Sequence, residues 1–364
     1  MLPFVAPILL LQTLAPDLAL RGDLDAGRYL KVLAACDRRV AQDPRDAPAW
    51  AARSQALASL QRFPEALADA TRALDLQPRL ADALLARGLA RAGQAIRQRD
   101  LSALRGALGS LDDLRAATQA DPTLAAAWAS LGLAYELLPG VLGGSTRQAL
   151  QCAERLGRLV PARGALLRAL IFMEEGRWRD AEPAFQRALT LAPADPEVVS
   201  QWLDALDSRP AKKALGEAGK NARLLAEATR LLPGVRTRAR AVAAVSDAYL
   251  HGGDPERAWQ VLQDTLPHAD APSLLRLQQG KVAAVSGRHR PEGLAALDQV
   301  LREPLEGASA GYPGAWWRKA QLLQSLGRTE EAKQAAQEAL KLDPRHRGAR
   351  GAQEALRKSS IKNE

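Results

Sequence analysis

Residues 50–78 read WAARSQALASLQRFPEALADATRALDLQP, and residues 316–344 read WWRKAQLLQSLGRTEEAKQAAQEALKLDP. Laid on one another, Trp50, Ser54, Leu57, Ala66, Ala70, Ala73 and Pro78 fall on Trp316, Ala320, Leu323, Ala332, Ala336, Ala339 and Pro344. A unit of about 34 residues that reads helix, short turn, helix, proline predicts a solenoid, in which each unit buries its apolar face on its neighbours. The large residue opens the first helix, and the small residue four positions on lets two helices approach closely. The small Ala of the second helix seats against that contact. The proline stops the second helix, because it has no N–H and its ring clashes with the preceding turn. Every one of these roles is packing, so none is evidence of chemistry.

Two further segments complete the pattern. Trp128, Leu131, Gly132 and Tyr135 fit W-x2-L-G-x2-Y, and Ala181, Phe185 and Pro193 fit A-x3-F…P. In these residues the chain resembles the tetratricopeptide repeat (TPR) family. The resemblance implies an all-α, right-handed superhelical solenoid of helix pairs, with the first helix of each pair lining a concave groove that binds a protein segment.

Helix-ending signals at Asp43-Pro44, Gln77-Pro78, Asp121-Pro122, Val160-Pro161, Ala192-Pro193, Leu232-Pro233 and Asp343-Pro344 divide the chain. Between Pro233 and Pro344 the register is carried by the turns at Gly252-Gly253-Asp254-Pro255, Ser286-Gly287-Arg288 and Leu326-Gly327-Arg328. The expected organisation is a signal peptide over 1–20, an array of about eight helix pairs over 21–346, and a capping helix and tail over 347–364. The pairs are clearest at 47–80, 125–161, 162–195 and 313–346. Three stretches exceed the repeat: Ala92 to Gly109, Leu138 to Ser145, and Arg209 to Lys220. Hydrophobic content of 47% with only 4% aromatic suits close helix packing and leaves little material for strands.

A net charge of +9 invites a nucleic-acid reading. Forty of the fifty basic residues are Arg, and they are spread along every repeat instead of forming one stripe. Trp50, Trp128 and Trp316 occupy packing positions, where they are expected to be buried and unavailable for base stacking. Nucleic acid is therefore not an expected partner.

Leu2 to Leu14 carries no charge and includes Ile8-Leu9-Leu10-Leu11, the length and polarity of a signal-peptide core. It is too short for a membrane span. A periplasmic or secreted address follows as an expectation, with a cytoplasmic one as the alternative. Leu33-Ala34-Ala35-Cys36 imitates a lipoprotein cleavage box, but Arg21, Asp23, Asp25, Arg28 and Lys31 separate it from the apolar core. Cys36 instead falls at the slot of Ala70 and Phe185, which makes it a structural residue, and Cys152 also sits on a second helix.

No catalytic constellation is present in the sequence. His251, His268, His289 and His346 lie at turns or helix ends without metal-ligand spacing. Asp112-Asp113, Glu174-Glu175 and Glu330-Glu331 are neighbours on helices, where side chains diverge by about 100°. Gly140 to Ser145 is glycine-rich but lacks the Gly-Lys-Ser/Thr ending of a phosphate loop. No enzyme activity, cofactor or metal is expected. The turn Leu138 to Gly144, followed by Ala149, also resembles the T-component of TRAP transporter systems, a family of periplasmic tetratricopeptide lipoproteins associated with solute-binding proteins. That likeness implies an alternative, a transport accessory binding a solute-binding protein or a small apolar ligand. The chain departs from that family in having no usable lipid-anchor cysteine.

The leading expectation is a non-enzymatic scaffold that holds an apolar or amphipathic segment of a protein partner in the groove. The groove residues implied by the resemblance are Gln55, Leu85, Leu89, Leu133, Leu166, Leu170, Asp247, Trp317 and Gln321, and the family's Lys and Asn clamp for acidic peptide ends is missing. The leader is checked by N-terminal sequencing after expression in an exporting host. Cleavage beside Thr13 and Ala15 is the expected result, and an intact Met1 removes the periplasmic assignment.

Overall fold

A computed structural model describes residues 20, 23–24, 28–98, 101–302 and 311–361. The uncharged segment 2–14 lies outside the described residues. The chain forms two compact units, one up to Val198 and one from Val199. Every regular element among the described residues is helical.

Unit 1 contains α1 (Tyr29–Gln42), α2 (Ala47–Ser59), α3 (Phe63–Leu76), α4 (Ala81–Arg97), α5 (Leu101–Ala120), α6 (Ala125–Leu137), α7 (Thr146–Leu159), α8 (Pro161–Glu174) and α9 (Trp178–Leu191). The division between units falls in α10 (Pro196–Leu206). Unit 2 continues with α11 (Arg209–Val235), α12 (Ala239–Gly252), α13 (Pro255–Thr265), α14 (Pro272–Ser286), α15 (Arg290–Arg302), α16 (Gly311–Ser325), α17 (Thr329–Leu342) and α18 (Arg347–Ile361). Sequential helices pack as antiparallel pairs. In addition, each first helix touches the next first helix: α2 with α4, α4 with α6, α6 with α8, and in unit 2 α12 with α14, α14 with α16 and α16 with α18. That two-step contact is what a repeat of helix pairs requires.

The small residues do what their spacing predicts. Ser54 Oγ donates to the Ala66 carbonyl at 2.7 Å, and Ser246 Oγ to that of Ala258 at 3.0 Å. In the α4/α5 pair the roles are exchanged, with Ser110 Oγ donating to the Gly88 carbonyl at 2.8 Å. A Cβ on Gly132 would stand 2.8 Å from Leu167 Cδ2 and 3.1 Å from Cys152 Cβ, so α6 meets its neighbours at backbone distance.

One turn recurs between the helices of a pair. Arg62, Arg177, Asp254 and Arg328 each donate their N–H to a carbonyl five residues back, on Leu57, Phe172, Tyr249 and Leu323, at 2.8 to 2.9 Å. The preceding residue closes a second bond, to the carbonyl three residues back, and takes a positive φ, as in a Schellman ending. Gly176, Gly253 and Gly327 occupy that place, but in the α2/α3 pair it is Gln61, at φ 57°.

The core of the first pairs gathers Leu20, Leu24, Tyr29, Val32, Leu33 and Cys36 with Leu57, Phe63 and Ala66. Cys36 is fully buried within α1, and Cys152 is buried within α7. Burial pushes both thiols up to about 12. No helix among the described residues is long and apolar enough to cross a membrane.

One sequence expectation needs correction. Pro233 does not end a helix: it lies inside α11, which runs two residues past it to Val235. Of the stretches that exceed the repeat, Arg209 to Lys220 is a helical part of α11, broken only at Gly216 (φ 73°, ψ 166°). Ala92 to Gly109 is also mostly helical, ending α4 and opening α5, while 99–100 lie outside the described residues.

A non-glycine residue at left-handed φ costs about 1–2 kcal/mol, offset in part by the roughly 0.5–1 kcal/mol of extra chain entropy that glycine loses on folding. Gln61→Gly should therefore stabilise unit 1 by up to about 1 kcal/mol. Urea denaturation followed by circular dichroism measures this, and a lowered midpoint would contradict the turn assignment.

Candidate functional site: the facing rows of the first helices

Counting each repeat from 47, 81, 125, 162, 239, 273 and 313, the predicted groove residues fall at the fifth and ninth places. In unit 1 these are Ala51 and Gln55, Leu85 and Leu89, Ala129 and Leu133, and Leu166 and Leu170. In unit 2 they are Ala243 and Asp247, and Trp317 and Gln321; the same places of the repeat between them, which was not predicted to line the groove, hold Leu277 and Lys281.

The two units treat these places differently. Leu85, Leu89, Leu133, Leu166 and Leu170 are between 0 and 4% exposed. They are packing residues and offer no open apolar lining, because the first helices lie directly against one another. Gln55 is also fully buried, and neither its Nε2 nor its Oε1 finds a partner. An unsatisfied buried amide of this kind costs about 1–3 kcal/mol.

In unit 2 Asp247, Trp317 and Gln321 are half-buried and belong to one polar cluster over α12, α14 and α16. Asp247 accepts from Gln278 Nε2 at 2.5 Å and from Lys281 Nζ at 2.6 Å, which links α12 to α14. On α16 the Arg318 guanidinium lies 4.0 Å from the centre of the Trp317 ring and donates to Gln321 Oε1 at 2.9 Å. Among the described residues Arg318 has no carboxylate within ion-pair distance. Burial lowers its pKa, opposed by the charge of Asp247. A guanidinium stays protonated under such conditions. The cluster therefore holds a cation stacked on an indole, beside an acid that other groups already neutralise.

Sequence reasoning missed Gln278, Lys281 and Arg318. Lys281 was within reach, since it holds the ninth place of its repeat, but that repeat has Arg276 where others have Trp. The tryptophans themselves are not fully buried as expected. Trp50, Trp128 and Trp316 are half-buried, and the first two donate their indole N–H to the carbonyls of Pro44 (3.1 Å) and Pro122 (2.8 Å), joining successive repeats.

The histidines serve turns and helix ends. His251 Nδ1 lies 2.6 Å from Asp207, His289 stacks on Trp259 with ring centres 4.6 Å apart, and His346 accepts the Ala349 N–H at 3.1 Å. Among the described residues no group of His, Cys, Asp or Glu is placed to hold a metal ion.

A family model described as Tetratricopeptide repeat matches residues 313–346. The resemblance to that family holds. Those residues form α16 and α17, the pair that carries Trp317, Arg318 and Gln321. Solved structures similar to the chain include a thermophilic TPR protein of Thermus thermophilus, at 21% identity over 50% of this chain and 92% of that one, with a TM-score of 0.45. Pseudomonas aeruginosa pilF is 16% identical over 65% of this chain and 98% of that one, with a TM-score of 0.41. The P58(IPK) TPR domain is 16% identical over 95% and 97%, with a TM-score of 0.29. No curated protein matches the chain.

The contrast between the rows is measurable. Leu166→Ala and Leu170→Ala should each cost about 2–5 kcal/mol of stability, as buried truncations do. Gln321→Ala, at a half-buried polar position, should cost under about 1 kcal/mol. Urea melts of the three variants compare them directly, and equal losses would mean that the two rows are buried alike.

Proposed function

We propose that the chain is a non-enzymatic interaction scaffold and that unit 2 seats a partner segment across α12, α14 and α16. The observation that carries this reading is Arg318, a half-buried cation without a carboxylate, stacked on Trp317 and steadied by Gln321. A buried charge is costly unless paired. A carboxylate from a partner would supply the missing charge, while the indole offers an apolar anchor of the type that dominates binding energy at interfaces. The fitting partner is an amphipathic segment with an acidic residue. Of the apolar or amphipathic segment expected from the sequence, this keeps the amphipathic form, because the leucines that would hold a purely apolar one are packed away.

A displayed library of random dodecapeptides selected on the full chain tests the reading. Enriched sequences should pair Asp or Glu with an apolar residue, and Arg318→Glu should weaken their binding by roughly tenfold or more, the scale of a charge-assisted contact. Enrichment without acidic residues, or binding indifferent to Arg318→Glu, would move the site elsewhere.

A further inference from the structure

A second feature, in unit 1, arises from a comparison of two notches. Around α2, the Arg53 guanidinium fills the space between α1, α2 and α3. It donates to Asp37 at 2.8 Å and to both oxygens of Asp69 at 2.7 and 2.8 Å, with its carbon 4.4 Å from the centre of the Trp50 ring. Arg53 stands three residues after Trp50, Asp37 seven before Pro44, and Asp69 is the seventh residue of α3.

Around α6 the same three places hold Leu131, Arg115 and Cys152. The central guanidinium is gone and both carboxylates are gone. One carboxylate has become a cation. In place of the filled notch there is a cavity of about 550 Å³ between α5, α6 and α7, within the usual range for small-molecule sites.

Its walls are chemically specific. Trp128, Leu131 and Tyr135 supply an apolar side, and Arg115, Arg155 and Arg158 supply charge against the single carboxylate of Glu154. Glu154 is already bound to Arg158 at 2.5 Å. Arg115 is aimed by Tyr135, whose hydroxyl accepts from Nε at 2.9 Å, and among the described residues its only carboxylate neighbour is the exposed Asp112 at 3.4 Å. Arg155 makes no hydrogen bond or ion pair with any described residue. The 138–145 insertion lies close to the same wall: a Cβ on Gly143 would come 3.1 Å from Leu111 and 3.7 Å from Arg115 Nη2.

We propose that this cavity binds a small organic anion, its carboxylate or phosphate held by Arg115 and Arg155 and its apolar body lying against Trp128, Leu131 and Tyr135. The ligand supplies to α6 the inverse of what Arg53 supplies to α2. There a protein cation sits among fixed anions, and here an anion sits among fixed cations. Arginine suits the task because its planar fork matches both head groups.

Calorimetric titration of the full chain tests this with naphthalene-2-carboxylate, the neutral 2-naphthylmethanol and inorganic phosphate. The carboxylate should saturate one site and bind roughly tenfold or more tighter than the alcohol, with affinity falling as salt rises. Arg155→Ala removes a side chain that holds nothing in the fold, and Gln151→Glu puts a negative charge on the exposed rim. Both should weaken carboxylate binding about tenfold while leaving the circular dichroism spectrum unchanged. Phosphate that displaces the carboxylate also supports the shared anion site and assigns phosphate-bearing ligands to it. Carboxylate binding without phosphate displacement supports the site for carboxylates alone. Equal binding of acid and alcohol, no binding of either anion, or indifference to both substitutions overturns the proposal. Arg318 is untouched throughout, so the outcome is independent of the partner-segment reading.

Discussion

The structure depends on one constraint, that the two helices of a pair touch at backbone distance. Ser54, Gly88, Gly132, Ser246 and Gly280 stand at the point of contact, and at Gly280 an added Cβ would come within 2.4 Å of Leu297. A larger residue would separate the helices and pull the apolar rows on either side apart. Close packing in protein interiors leaves no slack to absorb such a shift. The rest of the repeat follows from keeping that contact. A Schellman turn of fixed length returns the chain, and a proline turn starts the next pair.

With the contact fixed, the notch beside it becomes a place where charge can vary. Arg53 closes it through Asp37 and Asp69, Arg87 through both oxygens of Asp113, and Lys319 through Asp298 at 2.7 Å. Some of these bridges lie within a pair, as Arg53 with Asp69 and Arg87 with Asp113, and others tie adjoining pairs, as Arg53 with Asp37 and Lys319 with Asp298, but the pairs without them remain packed. Leu131 shows that the bridge is dispensable: α6 still packs on α5, α7 and α8. Polar groups in this position refine the stacking that small residues and leucines already enforce.

This hierarchy explains what could be read from the sequence. The helix pairs were legible because their determinants, such as Trp50, Ser54, Ala66 and Pro78, recur at fixed spacing and act locally. Pro233 misled because α11 runs two residues past it, which spacing does not reveal. The five leucines were correctly placed on the first helices, yet whether a row is open or closed is decided by the neighbouring helix and not by the residue. Lys281 and Arg318 were missed for a related reason, since their meaning comes from partners on α12 and α16. The α6 notch was harder still. Five inserted residues before α7 break the count that would align Cys152 with Asp69, so the loss of both acids shows only once the helices are superposed.

The two units thus place their chemical variety differently on one framework. In unit 1 the fifth and ninth places are filled by leucine, alanine and the buried Gln55, the row closes, and the open polar feature is the notch at Leu131. In unit 2 the row holds Asp247, Lys281 and Gln321 and stays half-open, while Lys319 with Asp298 closes the corresponding notch of its repeat. Neither choice disturbs the small-residue contact, because row, notch and contact lie at different places on the same helix. That separation is why the repeat can specify its fold so firmly and its ligands so loosely. Chemical variety sits in the residues that packing leaves free, and in both units those residues include an arginine that pairs with no acid among the described residues.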